Sequence, residues 1–274
     1  MKGAARLKLE RTMMAAVLFG LSCGSGHAQA KLTARYILTL AQIEIGHGDW
    51  KVEIGKDRYV AKSDGELLGI WRAILGGDIT ALAHGSISQG RLVPGDYAAN
   101  FAWDDEIDDV KMQFRDGAVT GLEVKPTISA GEGRIPVAPA QLKGSVDPLT
   151  AGLVTIPGTK DILTPAACQR SLPIFDGSQR YDLVLSFKRT ENVSVENGYQ
   201  GPAAVCAMAY QPIGGYSPGS FRVEYLMKNR DMEIWFAPVA GTRLLAMIRI
   251  LIPTTLGNAL LKAVRFESAV TPLQ

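Results

Sequence analysis

The chain has 274 residues, 47% of them apolar, 20% charged and 7% aromatic, with 29 glycines; a packed core of one large or two small units is within reach, and wholesale disorder is excluded. The formal net charge of +2 is uneven: residues 1–30 hold four of the 29 bases and one of the 27 acids, which leaves 25 bases against 26 acids beyond them. A near-neutral body excludes the electrostatic footprint of a nucleic-acid binder and a polybasic membrane patch.

Lys2, Arg6, Lys8 and Arg11 form a positive segment ahead of the short apolar run Met13 to Ser22, and Ala28-Gln29-Ala30 places small residues at the −3 and −1 positions of a cleavage site. That is the three-part secretory pattern, and the apolar run is shorter than the roughly 20 residues a bilayer span requires. Residues 1–30 are therefore expected to be a signal peptide and 31–274 a single β-rich periplasmic domain. Two alternatives are an uncleaved anchor, against which Gly24 to His27 end the apolar run abruptly, and a lipoprotein acylated at Cys23, against which Gly20 stands where an aliphatic residue is usual.

Thr33 to Ile45 alternates in the period of a half-buried strand, Gly46 to Asp49 reads as a turn, and Trp50, Val52 and Ile54 alternate beyond it. Asp57 to Lys62 reads as a third strand punctuated by Asp64-Gly65. Leu67 to Leu75 is dense enough in apolar residues for a short helix stopped by Gly76-Gly77. Strands are expected over Ile79 to Ile87 and around Tyr97, Phe101 and Trp103, with a break near Ala99-Asn100. Asp116-Gly117 between Val110–Phe114 and Val119–Val124 is a two-residue hairpin signal. Lys125 to Asp147, with Pro126, Pro136 and Pro139, reads as a long loop or crossover. Asp147-Pro148 opens a helix over DPLTAGLV, with Asp as N-cap and Pro in the first turn. Strands then follow over Tyr181 to Lys188, Ala203 to Tyr210, Phe221 to Met227, Met232 to Phe236, Leu245 to Ile252 and Leu260 to Phe266, with Asn197-Gly198 as a turn. Short turns between successive strands imply an antiparallel sheet.

Without Cys23 two cysteines remain, Cys168 and Cys206, 38 positions apart; in an oxidising compartment they are expected to pair if geometry allows, the alternative being two separate buried thiols. From Cys168 onward the order of short motifs resembles the bacterial domain-of-unknown-function family 3108. These are Leu172-Pro173-Ile174-Phe175-Asp176-Gly177, Arg180-Tyr181-Asp182-Leu183, Ala204-Val205-Cys206, Pro212 to Tyr216 and Glu233 to Pro238, with Gly76-Gly77-Asp78 and Asp147-Pro148-Leu149 upstream. The resemblance implies an exported envelope protein, supports Cys168 and Cys206 as partners and supplies no catalytic role. Read physically, Asp176-Gly177 and Gly214-Gly215 serve turns or close backbone approach.

No cofactor or metal motif stands out. His47 and His84, each beside a glycine, lack a partner at metal spacing. Ser88 has Ser86 where a nucleophile elbow needs glycine. The acidic run Asp104 to Asp109 lacks the alternation and central glycine of a calcium loop. Trp50, Trp71, Trp103 and Trp235 with Tyr36 and Tyr216 are candidate pocket aromatics as well as ordinary core residues; Tyr36, Trp71, Tyr216 and Trp235 are taken forward as the pocket candidates.

The expected fold is mainly β: one curved antiparallel sheet or half-open barrel with one or two short helices against its concave face, because a twisted sheet of many strands must curl or split. The expected role is a non-catalytic binder or carrier of an apolar, lipid-like ligand. Alternatives are a structural or interaction protein of the envelope with a filled core, and an enzyme whose site no motif reveals.

Overall fold

A computed structural model describes residues 29–69, 71–72, 77–103, 106–126, 133–158 and 161–271. Seven strands come first: β1 (Gln29–Leu40), β2 (Ile43–Ile54), β3 (Arg58–Leu67), β4 (Asp78–Ser88), β5 (Arg91–Trp103), β6 (Glu106–Arg115) and β7 (Ala118–Lys125). After a single 3-10 turn at Pro139–Leu142 come α1 (Pro148–Ala151) and β8 (Leu153–Thr155). A 3-10 turn at Pro165–Ala167 leads into β9 (Arg170–Phe175), β10 (Arg180–Ser194), β11 (Asn197–Gly198) and β12 (Gln200–Gly214). The chain ends with α2 (Phe221–Lys228), β13 (Glu233–Pro238), β14 (Leu244–Thr254) and β15 (Gly257–Thr271).

All fifteen strands belong to one sheet, in the order β7-β6-β5-β4-β3-β2-β1-β15-β14-β13-β12-β10-β9, with β8 on β14 and β11 on β15. Every strand pair is antiparallel except the two-residue β11–β15 contact. The first seven strands form a meander of hairpins. The β1–β15 seam, with twelve partnered residues and a register shift at Arg35/Tyr36, joins that meander to the C-terminal half. The sheet curls without closing: β7 and β9 stand at its two ends. A strap of backbone spans the gap. Gly144 N–H donates to Gly117 O at 2.6 Å, Val146 N–H to Pro173 O at 2.8 Å, and Phe175 N–H to Val146 O at 3.0 Å. One group in the turn before β7 and two on β9 are thereby satisfied, which shortens the open edges that could pair with other chains.

Two apolar clusters hold the sheet. One runs from Leu32, Ala34, Trp50 and Val52 through Tyr97 and Met112 to Phe175 and Phe266. The other packs Leu172, Ile174, Met232, Phe236 and Leu245 around Cys168 and Cys206. α1 and β8 lie between them, with Leu153 in the first cluster and Ala151 and Val154 in the second. Each large side chain so buried contributes about 1.5–3 kcal/mol. The sulfurs of Cys168 and Cys206 are bonded, and their Cα atoms lie 5.4 Å apart.

Several boundaries differ from the sequence reading. The first hairpin turns at Ala41 and Gln42, whose φ angles are 49° and 71°, and β2 runs straight through Gly46 to Asp49. β3 passes Asp64-Gly65 without a break, and β5 continues through Ala99-Asn100. The helix at Pro148 stops at Gly152, after which Leu153 to Thr155 are extended. Phe221 to Lys228 is a helix, not a strand: Phe221 and Tyr225 stack one turn apart at 5.9 Å, and Lys228 meets Glu224 at 3.2 Å, both i,i+4 contacts that a strand cannot make. Of the helix expected over Leu67 to Leu75, a turn through Trp71 is present; Ile70 and residues 73–76 lie outside the described residues, as do Asp104, Asp105 and the first 28 residues with Cys23. The Asp116-Gly117 hairpin forms with φ angles of 52° and 72°.

Candidate functional site

The inward positions of β2 and β3 at one end of the barrel are small: Gly46, Gly48, Ser63 and Gly65. A Cβ on Gly46 would come within 2.7 Å of Glu66 O, and one on Gly48 within 2.5 Å of Asp64 O. Glycine is therefore required where the two strands bend closely together. The missing side chains leave a cavity of about 430 Å³. Tyr36 and Leu38 of β1, Trp50 of β2, Leu172 and Ile174 of β9, Tyr181 and Leu183 of β10, Ile234, Met247 and Ile250 and Leu261 line it, with Leu149 and Ala151 of α1. This volume and apolar lining are those of a small-molecule site.

α1 is anchored by a buried polar chain. Asp147, fully buried, accepts from Thr150 N–H at 2.9 Å and from Thr150 Oγ1–H at 2.6 Å. Since that hydroxyl donates to Asp147, the Tyr59 hydroxyl 2.7 Å away must donate to Thr150 Oγ1. Tyr36 donates to the Met247 carbonyl at 2.6 Å, and burial pushes its hydroxyl far above the ordinary tyrosine range. Burial, then Asp176 and Tyr210, push Tyr181 up likewise. The Tyr181 ring lines the cavity and stacks on Tyr210 at 5.4 Å, and its hydroxyl makes no hydrogen bond among the described residues.

The mouth is polar. His47 Nε2 lies 2.9 Å from Glu66 and its Nδ1 3.9 Å from Glu44. Arg72 forks onto Asp78 at 2.6 and 3.1 Å, which holds that carboxyl below its usual range, and reaches Glu66 at 3.9 Å. Arg35 lies 3.7 Å from Asp49. Ser63 is the hydroxyl nearest in sequence to this group. It pairs with Trp50 while His47 pairs with Glu66, and three residues along a strand is about 10 Å. His47 is not placed to activate it.

Of the pocket candidates, Tyr36 is in the cavity wall. Trp71 is half-buried in the turn after β3 and does not line the cavity. Tyr216 lines a separate open depression of about 1150 Å³ with Arg134, Asp176 and Phe221. Trp235 is buried on the sheet face opposite Ile234, so it points away from the cavity. Its ring lies between the guanidinium groups of Arg189 and Arg249, at 5.6 and 5.2 Å. Arg189 is held by Glu191 and Glu233; burial raises the Glu233 carboxyl, but hydrogen bonds from Arg189 and Lys188 outweigh it and hold the group low. The side chain of Trp103 lies outside what is described. Trp50, one of the candidate aromatics, is in the wall; Tyr181 and Leu149 were not foreseen. Among the described residues no three potential metal ligands gather, and no described helix is long and apolar enough to cross a membrane.

Residues 35–264 match the family described as "Protein of unknown function (DUF3108)". The chain belongs to this family. No curated protein matches it. A solved structure described as a beta-barrel-like protein of domain of unknown function DUF1849 from Brucella abortus is similar at 8% identity, over 89% of this chain and 98% of that one, with a TM-score of 0.46. For this DUF3108 chain the cavity is thus the feature from which function has to be argued.

Proposed function

We propose that the protein is exported to the periplasm and carries an apolar, lipid-like ligand in the cavity beneath α1. The cavity itself carries this reading: about 430 Å³ of space walled almost entirely by aliphatic and aromatic side chains, at a place where three inward glycines withhold the atoms that would fill it. An open apolar pocket of this size sets water against apolar walls, and an apolar ligand that displaces that water is favoured. Export is supported by the three-part N-terminal pattern and by a disulfide, a bond that persists in oxidising compartments.

The test is displacement of a neutral fluorescent probe, N-phenyl-1-naphthylamine, from protein stripped of bound lipid. Bright saturable binding is expected, and Leu261→Trp, which projects an indole into the cavity, should weaken it at least tenfold (about 1.4 kcal/mol) without changing the circular dichroism. Binding that Leu261→Trp leaves untouched would place the probe elsewhere and sink the assignment.

A further inference from the structure

We propose that the ligand is a long-chain amphiphile that outreaches the cavity and lies across two chambers, its apolar end beneath α1 and its other end in the depression beside α2. This rests on the carrier reading above and extends its site. The cavity sets the first limit. A methylene occupies about as much space as one liquid water, ~30 Å³, so 430 Å³ holds a chain on the order of a dozen carbons.

The walls show where a longer chain continues. Ile79 of β4 lines the cavity, and Phe101 of β5, its direct partner across the strand pair, lines the depression of about 1150 Å³. On the facing wall Leu183 of β10 lines the cavity, and its partner Tyr210 of β12 lines the depression. Residues directly opposite each other on paired strands share a face of the sheet, so Phe101 and Tyr210 look into the same interior as Ile79 and Leu183. The two hollows therefore meet between neighbouring side chains on both walls. The neck is aromatic: Tyr181, in the cavity wall, stacks on Tyr210 at 5.4 Å, and the Tyr210 hydroxyl donates to Gln179 Oε1 at 3.2 Å. Beyond it, Val110, Val124, Val223 and Leu226 give the depression apolar surface, and Phe221 at its edge is 72% exposed. Covering such surface is favourable. Acidic and basic groups both stand around it, Asp108 and Asp176 with Arg134 and Arg222, so this chamber sets the length of the ligand and not the charge of its head.

Decanoate, dodecanoate, tetradecanoate and hexadecanoate share one head, so differences among them report the chain alone. Each competes with N-phenyl-1-naphthylamine on the full protein, below its micellar concentration. Affinity should climb roughly twofold or more per added carbon through hexadecanoate, as burial of each methylene requires. Val124→Trp places an indole in the depression and should flatten the climb beyond dodecanoate, leaving decanoate and the dye unchanged. Phe221→Ser, at an exposed position outside the core, should lower hexadecanoate affinity and leave decanoate unchanged. Leu261→Trp should weaken all four. A flattened climb in either depression variant upholds the two-chamber site. Affinity level from dodecanoate onward in the parent, a climb that both variants leave intact, or dye that no alkanoate displaces overturns it while the carrier reading stands. Failure of the dye and all four alkanoates to bind removes both.

Discussion

Asp147 decides where one wall of the cavity sits. Its carboxylate caps a helix of four residues and does so with no exposure to water. Burial pushes the carboxyl up from its ordinary value near 3.8, and the hydrogen bonds from Thr150 pull back without prevailing. A raised carboxyl means the folded state binds the proton more readily than the unfolded chain. The stabilising contribution is then complete below about pH 4 and declines as pH climbs toward the folded value. Asp147→Asn keeps an acceptor for Thr150 N–H and has no proton to lose. Its urea midpoint should therefore fall less than that of the parent as pH climbs above about 4. Asp147→Ala should cost about 0.5–2 kcal/mol below about pH 4, as loss of a cap does, and less as pH climbs and the parent's own contribution declines. Identical pH profiles for parent and Asn variant would show that the carboxyl is not perturbed. Asp147-Pro148 was readable as a helix start because a cap and a first-turn proline are local chemistry. The hydroxyl of Tyr59 that completes the chain comes from 91 residues away, and no local pattern marks it.

At the scale of elements, the period of two identified most strands, and the errors share a cause. Gly46 and Gly48 read as turn residues because glycine permits turns, yet here glycine is present so that β2 can lie against β3; the turn itself is made by Ala41 and Gln42 at positive φ, a conformation their composition does not advertise. Phe221 to Met227 mimics strand alternation, and i,i+4 pairing across one turn wins instead. Among the aromatic candidates Tyr36 and Trp50 line the cavity, whereas Trp71, Tyr216 and Trp235 do not. Residue type flagged Trp235, but only the strand phase, with Ile234 facing in, settles that its ring faces out. The disulfide fastens a short, core-packed element to the sheet. It ties the end of the 3-10 turn at Pro165–Ala167 to the middle of β12 across 38 positions. Replacing both cysteines by serine should lower stability by about 4 kcal/mol in the chain-entropy account and the melting temperature by on the order of 10 °C, read by calorimetry against the oxidised parent. An unchanged melting temperature would mean that β12 and the surrounding core hold the turn unaided.

For the whole molecule, the curled sheet depends on one long-range seam, β1 against β15, joining residues more than two hundred positions apart. The propensity of each strand was legible; which strand would be neighbour to the first was not, because pairing at that distance is selected by the packing of the complete core. The seam also constrains the proposed export. Ala30 lies within β1, 1% exposed, paired with Val270 on one side and Ile54 on the other, and Gln29 pairs with Thr271. Cleavage after Ala30 would strip these two rungs from the seam and uncover Ile54. The small-x-small pattern is met equally by Gly26 and Ala28, and a cut there keeps both rungs. Protein recovered from the periplasm is therefore expected to begin at Gln29, as read from its intact mass. A mature chain beginning at Lys31 would show that the seam tolerates the loss, and one still carrying Met1 would remove the basis for export.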